Sequence, residues 1–181
     1  MPCIPSFNIL ANLAFKYKLR PENGLKMIDV LTRAIGSTGM VGGEVLDLQS
    51  AHTHVSVNDL ETIYRMKTGC LISTAVVFGA LASTDYREIF NLLQEFGLLI
   101  GIAFQIHDDI IGIESSTAII GKCQRNDLER SKLIYPVLTS IDEAKQAEKA
   151  FYSKALSYLA LVPGQSDKIK GIADFILQRN Y

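Results

Sequence analysis

Apolar residues recur along the chain at three- and four-residue intervals and nowhere alternate with polar ones at a period of two. That pattern predicts helices and no strand. Phe7, Ile9, Leu10, Leu13 and Ala14 form one face of a first helix over 6–19, which begins after Pro5 and is stopped by Arg20-Pro21. Asn23 is placed to cap a second helix, whose Leu25, Ile28, Leu31 and Ile35 fall at helical spacing. Gly36, Gly39, Gly42 and Gly43 come next, and they either break the helix or admit another helix or a ligand close to the backbone. A phosphate-cradling P-loop is ruled out, because no strand precedes them and no Lys-Ser/Thr follows. The polar stretch 49–57 reads as a loop. Ser56 and Asp59 then make an approximate capping box for a helix running to about Leu81. Thr84-Asp85 caps a long helix of roughly thirty residues, and 114–125 is looser. Ala144, Ala147, Phe151, Leu156 and Leu159 mark an amphipathic helix over 141–162, broken by Pro163-Gly164. A terminal helix over 166–180 turns Ile169, Ile172, Ala173 and Ile176 inward. With no repeat or low-complexity segment, the expectation is one all-α domain over 181 residues.

One stretch breaks the apolar pattern. Asp108 and Asp109 sit side by side inside the apolar run Phe96–Ile113. A charge buried without a partner costs several kcal/mol, and His107 is the only close potential cation before Lys122. On a helix, Gln105 lies three and four residues before the two aspartates, so all three can share one side. Oxygen ligands so placed suit a hard cation such as Mg²⁺, shared with substrate phosphates. The bland alternative is a capping or salt-bridging pair at a helix end. Glu44 and Asp47, three residues apart, make a second acidic pair on one face.

Two chemistries fit these residues. In the first, Asp108, Asp109, Asp47 and Glu44 hold Mg²⁺, Lys67, Lys122 and Lys132 bind a diphosphate, and an apolar interior takes a hydrocarbon. On local grounds alone, Lys67 reads as a solvated helix charge, and the bland reading of Lys122 is a solvated loop charge. In the second, His52 or His54, His107-Asp108 and Asp127 would serve a His-Asp metal phosphohydrolase using a softer metal.

Composition narrows the partners. Net charge is −1, which leaves no electrostatic footprint for nucleic acid. Hydrophobic residues make up 48% of the chain and mean hydropathy is +0.19, apolar enough to suggest surface that a partner covers. The longest uncharged apolar stretch, Thr68–Thr84, is shorter than a membrane-spanning helix needs. No basic-then-apolar leader opens the chain, and three scattered cysteines form no disulfide framework. Both point to the cytoplasm.

Several spaced motifs go beyond generic patterning. Phe104-Gln105-x-x-Asp108-Asp109, followed by Gly121-Lys122, resembles the second aspartate-rich region of the trans-isoprenyl (polyprenyl) diphosphate synthases. Gly42-Gly43-Glu44-x-x-Asp47-Leu48 is similar to their Gly-Gly-Gln-x-x-Asp-Leu segment, and Lys67-Thr68-Gly69 to their Lys-Thr-Gly motif. Asn126-Asp127, Lys132 and Tyr135-Pro136 match the stretch that follows, and 173–180 resembles the tail of bacterial farnesyl-type members.

The resemblance implies a homodimeric, Mg²⁺-dependent helical bundle of the isoprenoid synthase type. It implies head-to-tail condensation of an allylic diphosphate with isopentenyl diphosphate. By the same resemblance Asp108 ligates Mg²⁺, Asp109 supports it, and Asp47 sits near the metals through water. Lys67, Lys122 and Lys132 contact the allylic diphosphate, Thr68 and Gln105 line the reacting carbons, and Arg179 closes over isopentenyl diphosphate. Three departures stand out. Gly112 replaces a third aspartate, Glu44 replaces the glutamine, and the family's first aspartate-rich motif is not among these residues. The chain is therefore expected to be the C-terminal part of a polyprenyl synthetase domain. Alone it is expected to be impaired, or a non-catalytic subunit or degenerate fragment of a synthase.

Overall fold

The computed structural model describes residues 3–16, 19–50, 53–82, 86–119, 133–164 and 166–178. Among them every regular element is helical. In chain order these are α1 (Cys3–Lys16), α2 (Pro21–Ile35), α3 (Met40–Ser50), α4 (Val57–Tyr64), a π turn (Arg65–Gly69), α5 (Cys70–Leu81) and α6 (Tyr86–Ile119). After them come a short α7 (Tyr135–Leu138), α8 (Ile141–Leu159) and α9 (Asp167–Gln178).

Local chemistry sets several of the boundaries. α2 starts with proline at its first turn, where the missing N–H costs nothing. α4 opens on a full capping box: Ser56 Oγ accepts from the Asp59 N–H at 3.2 Å, and Asp59 Oδ2 accepts from the Ser56 N–H at 2.9 Å. α8 is capped by Ser140, whose hydroxyl accepts from the Glu143 N–H at 3.2 Å. Gly164 takes a φ of 98° beyond its end, a conformation natural to glycine.

α6 is the spine. Its 34 residues extend about 50 Å, and two hydrophobic clusters form against it. Leu93, Phe96, Leu99 and Ile100 join Val77, Leu81, Ala155 and Leu159 in one. Ile102, Ile106 and Ile110 join Leu60, Ile63, Tyr135 and Ala144 in the other. Leu60, Leu81, Ile100 and Ile106 are shut from solvent, each contributing about 1.5–3 kcal/mol by burial. The segment Arg87–Ser115 is long and apolar enough by length and composition to cross a membrane, and over half of its most apolar window is buried inside this fold.

Glycine lets α5 reach α6. A Cβ on Gly101 would fall 2.3 Å from Gly69 Cα, and one on Gly97 would fall 2.4 Å from Ser73 Cα. Backbones this close fix how far along α6 the π turn sits.

Several sequence expectations shift. The first helix runs over Cys3–Lys16 instead of 6–19. Arg20, not Asn23, occupies the N-cap of α2, and the buried Asn23 amide donates to the Leu81 carbonyl at 2.9 Å, tying α2 to α5. The loop expected over 49–57 begins only after Ser50, and α6 continues to Ile119 through the stretch read as looser. Leu25 and Ile172, placed on inward faces by their spacing, are 69% and 62% exposed. Their neighbours Met27 and Ala173 carry the contact instead. The expected cap at Thr84-Asp85 lies outside the described residues.

Two glycines of α6 give opposite expectations. Gly101→Ala forces a methyl into the backbone of the π turn at Gly69 and should lower stability by about 1–3 kcal/mol. Gly112 is exposed with nothing within 4 Å of its missing Cβ, so Gly112→Ala should raise stability by about 0.5–1 kcal/mol through helix propensity. Urea unfolding of the two variants beside the parent measures both.

Candidate functional site

Three elements bring the chemistry together: α3, the π turn and the C-terminal half of α6. Gly43 is the reason α3 lies so near the π turn, since a Cβ there would fall 2.4 Å from the Lys67 nitrogen. Glu44 and Asp47, one turn apart on α3, then flank the Lys67 side chain. Its Nζ is 2.6 Å from Glu44 Oε2 and 2.6 Å from Asp47 Oδ2. Burial pushes the Lys67 ammonium down, but the two carboxylates outweigh it and hold the group above its ordinary pKa. Lys67 is thus a charged donor with two anionic partners, not the solvated helix charge that its neighbours alone suggest.

The next residue of the π turn faces α6. Thr68 Oγ1 donates to Gln105 Oε1 at 3.3 Å. Asp47, Lys67 and Gln105 line one narrow cleft together with Tyr64, Asp109 and Leu133. A π turn carries one more residue than an α turn and is often found at functional sites. Here it presents Lys67 to α3 and Thr68 to α6 at consecutive positions.

Asp109 is buried, 7% exposed. Its Oδ2 accepts from the Tyr64 hydroxyl and, at 3.1 Å, from the Tyr135 N–H. The Tyr135 hydroxyl in turn donates to Glu61 Oε1 at 3.0 Å. Burial first, and then the Asp109 charge, raise the Tyr64 phenol far above its ordinary pKa. Tyr135 is pushed up to about 12 by burial and by Glu61. Both phenols therefore stay protonated as donors.

Asp108 is half-buried and lies about 100° around α6 from Asp109. His107, expected to offset this acidic pair, sets its Nδ1 3.0 Å from Glu148 Oε1 on α8. Arg65, opening the π turn, pairs with Glu95 at 2.9 Å. Gly112, where a third carboxylate is expected by resemblance, is an exposed position without a side chain. Lys122, Lys132 and Arg179, and also His52 and Asp127, lie outside the described residues.

Among the described residues no three His, Cys, Asp or Glu side chains converge into a metal cage. Mg²⁺ asks for less: one or two carboxylates, with water and substrate oxygens completing the shell. Asp108 and Asp47 supply hard oxygen donors of that type. Sequence reasoning did not single out Glu61 or Tyr64 for the site. Their only local sign is a three-residue spacing on α4, because the partners they meet are 74 and 45 residues away.

A family model described as polyprenyl synthetase matches residues 3–169. The chain is 36% identical over 179 residues to the farnesyl diphosphate synthase of Escherichia coli (strain K12), covering 97% of this chain and 60% of that one. It is 32% identical over 164 residues to geranylgeranyl pyrophosphate synthase 3, chloroplastic, of Arabidopsis thaliana, covering 88% and 46% of the two chains. Among solved structures, a geranyltransferase from Helicobacter pylori complexed with magnesium and isoprenyl diphosphate matches with a TM-score of 0.79 at 26% identity. That match covers 97% of this chain and 58% of the other. The chain thus spans 60% or less of the length of these relatives. With a polyprenyl synthetase model matching residues 3–169 and relatives of 36% and 32% identity over most of its length, the chain belongs to the polyprenyl synthetase family.

Proposed function

We propose that this chain carries the diphosphate-binding part of a trans-prenyltransferase. The reaction is condensation of an allylic diphosphate with isopentenyl diphosphate in short-chain isoprenoid synthesis. The observation that carries this reading is the Lys67 ammonium, held between Asp47 and Glu44 one residue from the Thr68–Gln105 pair.

Lys67 donates to the leaving diphosphate, and Lys122 and Lys132 add positive charge there. Asp108 and Asp47 hold Mg²⁺, with Asp109 in support. When bound, Mg²⁺ neutralises the charge that grows on the departing diphosphate. Thr68 fixes the Gln105 side chain, whose amide dipole faces the reacting carbons and steadies positive charge on them. The apolar faces of α5 and α6 take the hydrocarbon and exclude water. The reading is a C-terminal part of the synthetase domain, a homodimer, and a cytoplasmic enzyme.

Turnover by these 181 residues alone is proposed to be poor, because the first aspartate-rich motif is not among them. A second reading, a non-catalytic subunit of a synthase, draws on α3. Val41, Val45 and Leu48 are 49%, 47% and 66% exposed along one stripe beside the site, an apolar face of the sort a partner covers.

Two experiments test the reading. Calorimetry with Mg²⁺ and inorganic pyrophosphate should give a binding heat for the wild type that Asp108→Asn largely removes. Equal heats for the two proteins sink the proposal. Incubation with isopentenyl and dimethylallyl diphosphates plus Mg²⁺ should yield little product, and turnover near that of the E. coli relative overturns the claim of impairment. Glu44→Gln frees Lys67 from one half-exposed carboxylate. Since such pairs are worth about 0.2–1 kcal/mol, pyrophosphate binding should tighten by up to about fivefold. An unchanged affinity means Glu44 does not compete for the lysine.

A further inference from the structure

Of the two adjacent aspartates on α6, Asp109 is the buried one and Asp108 the half-buried one. One oxygen of its carboxylate receives both the Tyr64 hydroxyl and the Tyr135 N–H. The Tyr135 hydroxyl returns to Glu61, three residues before Tyr64 on α4. The contacts therefore close on themselves: Asp109 to Tyr64, along one turn of α4 to Glu61, across to Tyr135, and back to Asp109. Each of its three hydrogen bonds joins a different pair of elements. Tyr64 is the residue directly ahead of the π turn that bears Lys67 and Thr68. Tyr135 opens α7, three positions after Lys132 in sequence.

We infer that Asp109 is a positioning residue whose carboxylate locks the start of the π turn and the start of α7 to α6. This sets Lys67 and Thr68 of the π turn in register with Asp108 and Gln105 of α6. The inference rests on the diphosphate reading above and gives its acidic pair a division of labour. Asp108 meets the ligand side, and Asp109 holds the frame in which Lys67 meets the same ligand. A hydrogen bond to a charged group in a buried site is strong, and removing one donor leaves the carboxylate short of a partner. A small rotation of the π turn then carries Lys67 and Thr68 away from their places, although neither touches Asp109 in any pair described above.

Two partners of the ring can be cut separately. Tyr64→Phe keeps the ring's bulk and removes one donor, while Asp109→Asn removes the charge. With inorganic pyrophosphate as probe at saturating Mg²⁺, each variant should bind about tenfold more weakly. The Mg²⁺ concentration for half-saturation should stay at the wild-type value. The double variant should be no weaker than Asp109→Asn alone, since both cuts open one ring. Asp108→Asn, in contrast, should raise the Mg²⁺ requirement.

The inference is overturned if Asp109→Asn raises the Mg²⁺ requirement as Asp108→Asn does while Tyr64→Phe binds like the wild type. Asp109 is then a metal ligand and not a fastener. If Asp109→Asn does not fold, the Tyr64→Phe titration decides alone: a wild-type pyrophosphate affinity rejects the positioning role. Thermal unfolding separates the two levels of the argument. Additive losses of melting temperature in the single and double variants reject the ring whatever the ligand does. Absence of pyrophosphate heat from the wild type rejects the diphosphate reading, and the positioning role with it.

Discussion

An ionised carboxylate in the middle of a core helix has to be met by donors, or it loses its charge or the helix loses its place. At Asp109 two donors come from outside α6: a phenol from α4 and a backbone N–H from α7. Neither can reach it unless three elements already lie in the right order along the spine. The hydrophobic clusters bring α4, α6 and α8 near one another, but apolar packing is non-directional and a hydrogen bond is not. The charge thus converts an approximate assembly into a fixed one, at the end of the molecule where the candidate chemistry lies.

The same fixing works from the other side through glycine. Gly69 against Gly101, and Gly43 against Lys67, bring three backbones closer than any side chain would permit. Close approach is what lets short side chains such as Asp47 and Thr68 reach across an interface at all. Where the backbones touch, Lys67 meets two carboxylates and Thr68 meets Gln105. The cleft is therefore small and polar, while the apolar surface sits further along α5 and α6.

Much of this was legible in the chain. Helical spacing predicts the all-α fold, Ser56 and Asp59 predict the cap of α4, and the acidic pair inside an apolar run marks α6 as more than a core helix. The glycines of 36–43 point to a close approach without naming what approaches. Other features leave no trace in the residues near them. The ring through Asp109 joins positions 26, 45 and 74 residues apart, a tertiary fact that no window of sequence contains. Lys67 reads locally as a surface charge, and only resemblance lifted it out. Leu25 and Ile172 show the limit of periodicity, since spacing identifies a face but not whether anything packs on it. Nothing in Arg65-Met66-Lys67-Thr68-Gly69 announces a widened turn.

That widened turn has an effect on the helices at either side of it. Before it, α4 gives Leu60 and Ile63 to one hydrophobic cluster; after it, α5 gives Val77 and Leu81 to the other. A single added residue shifts the angular phase of everything downstream by on the order of 100°. One unbroken rod can therefore serve two separate interiors. Deleting Met66 would keep Lys67 and Thr68 and still misdirect them, because Val77 and Leu81 would turn away from their cluster.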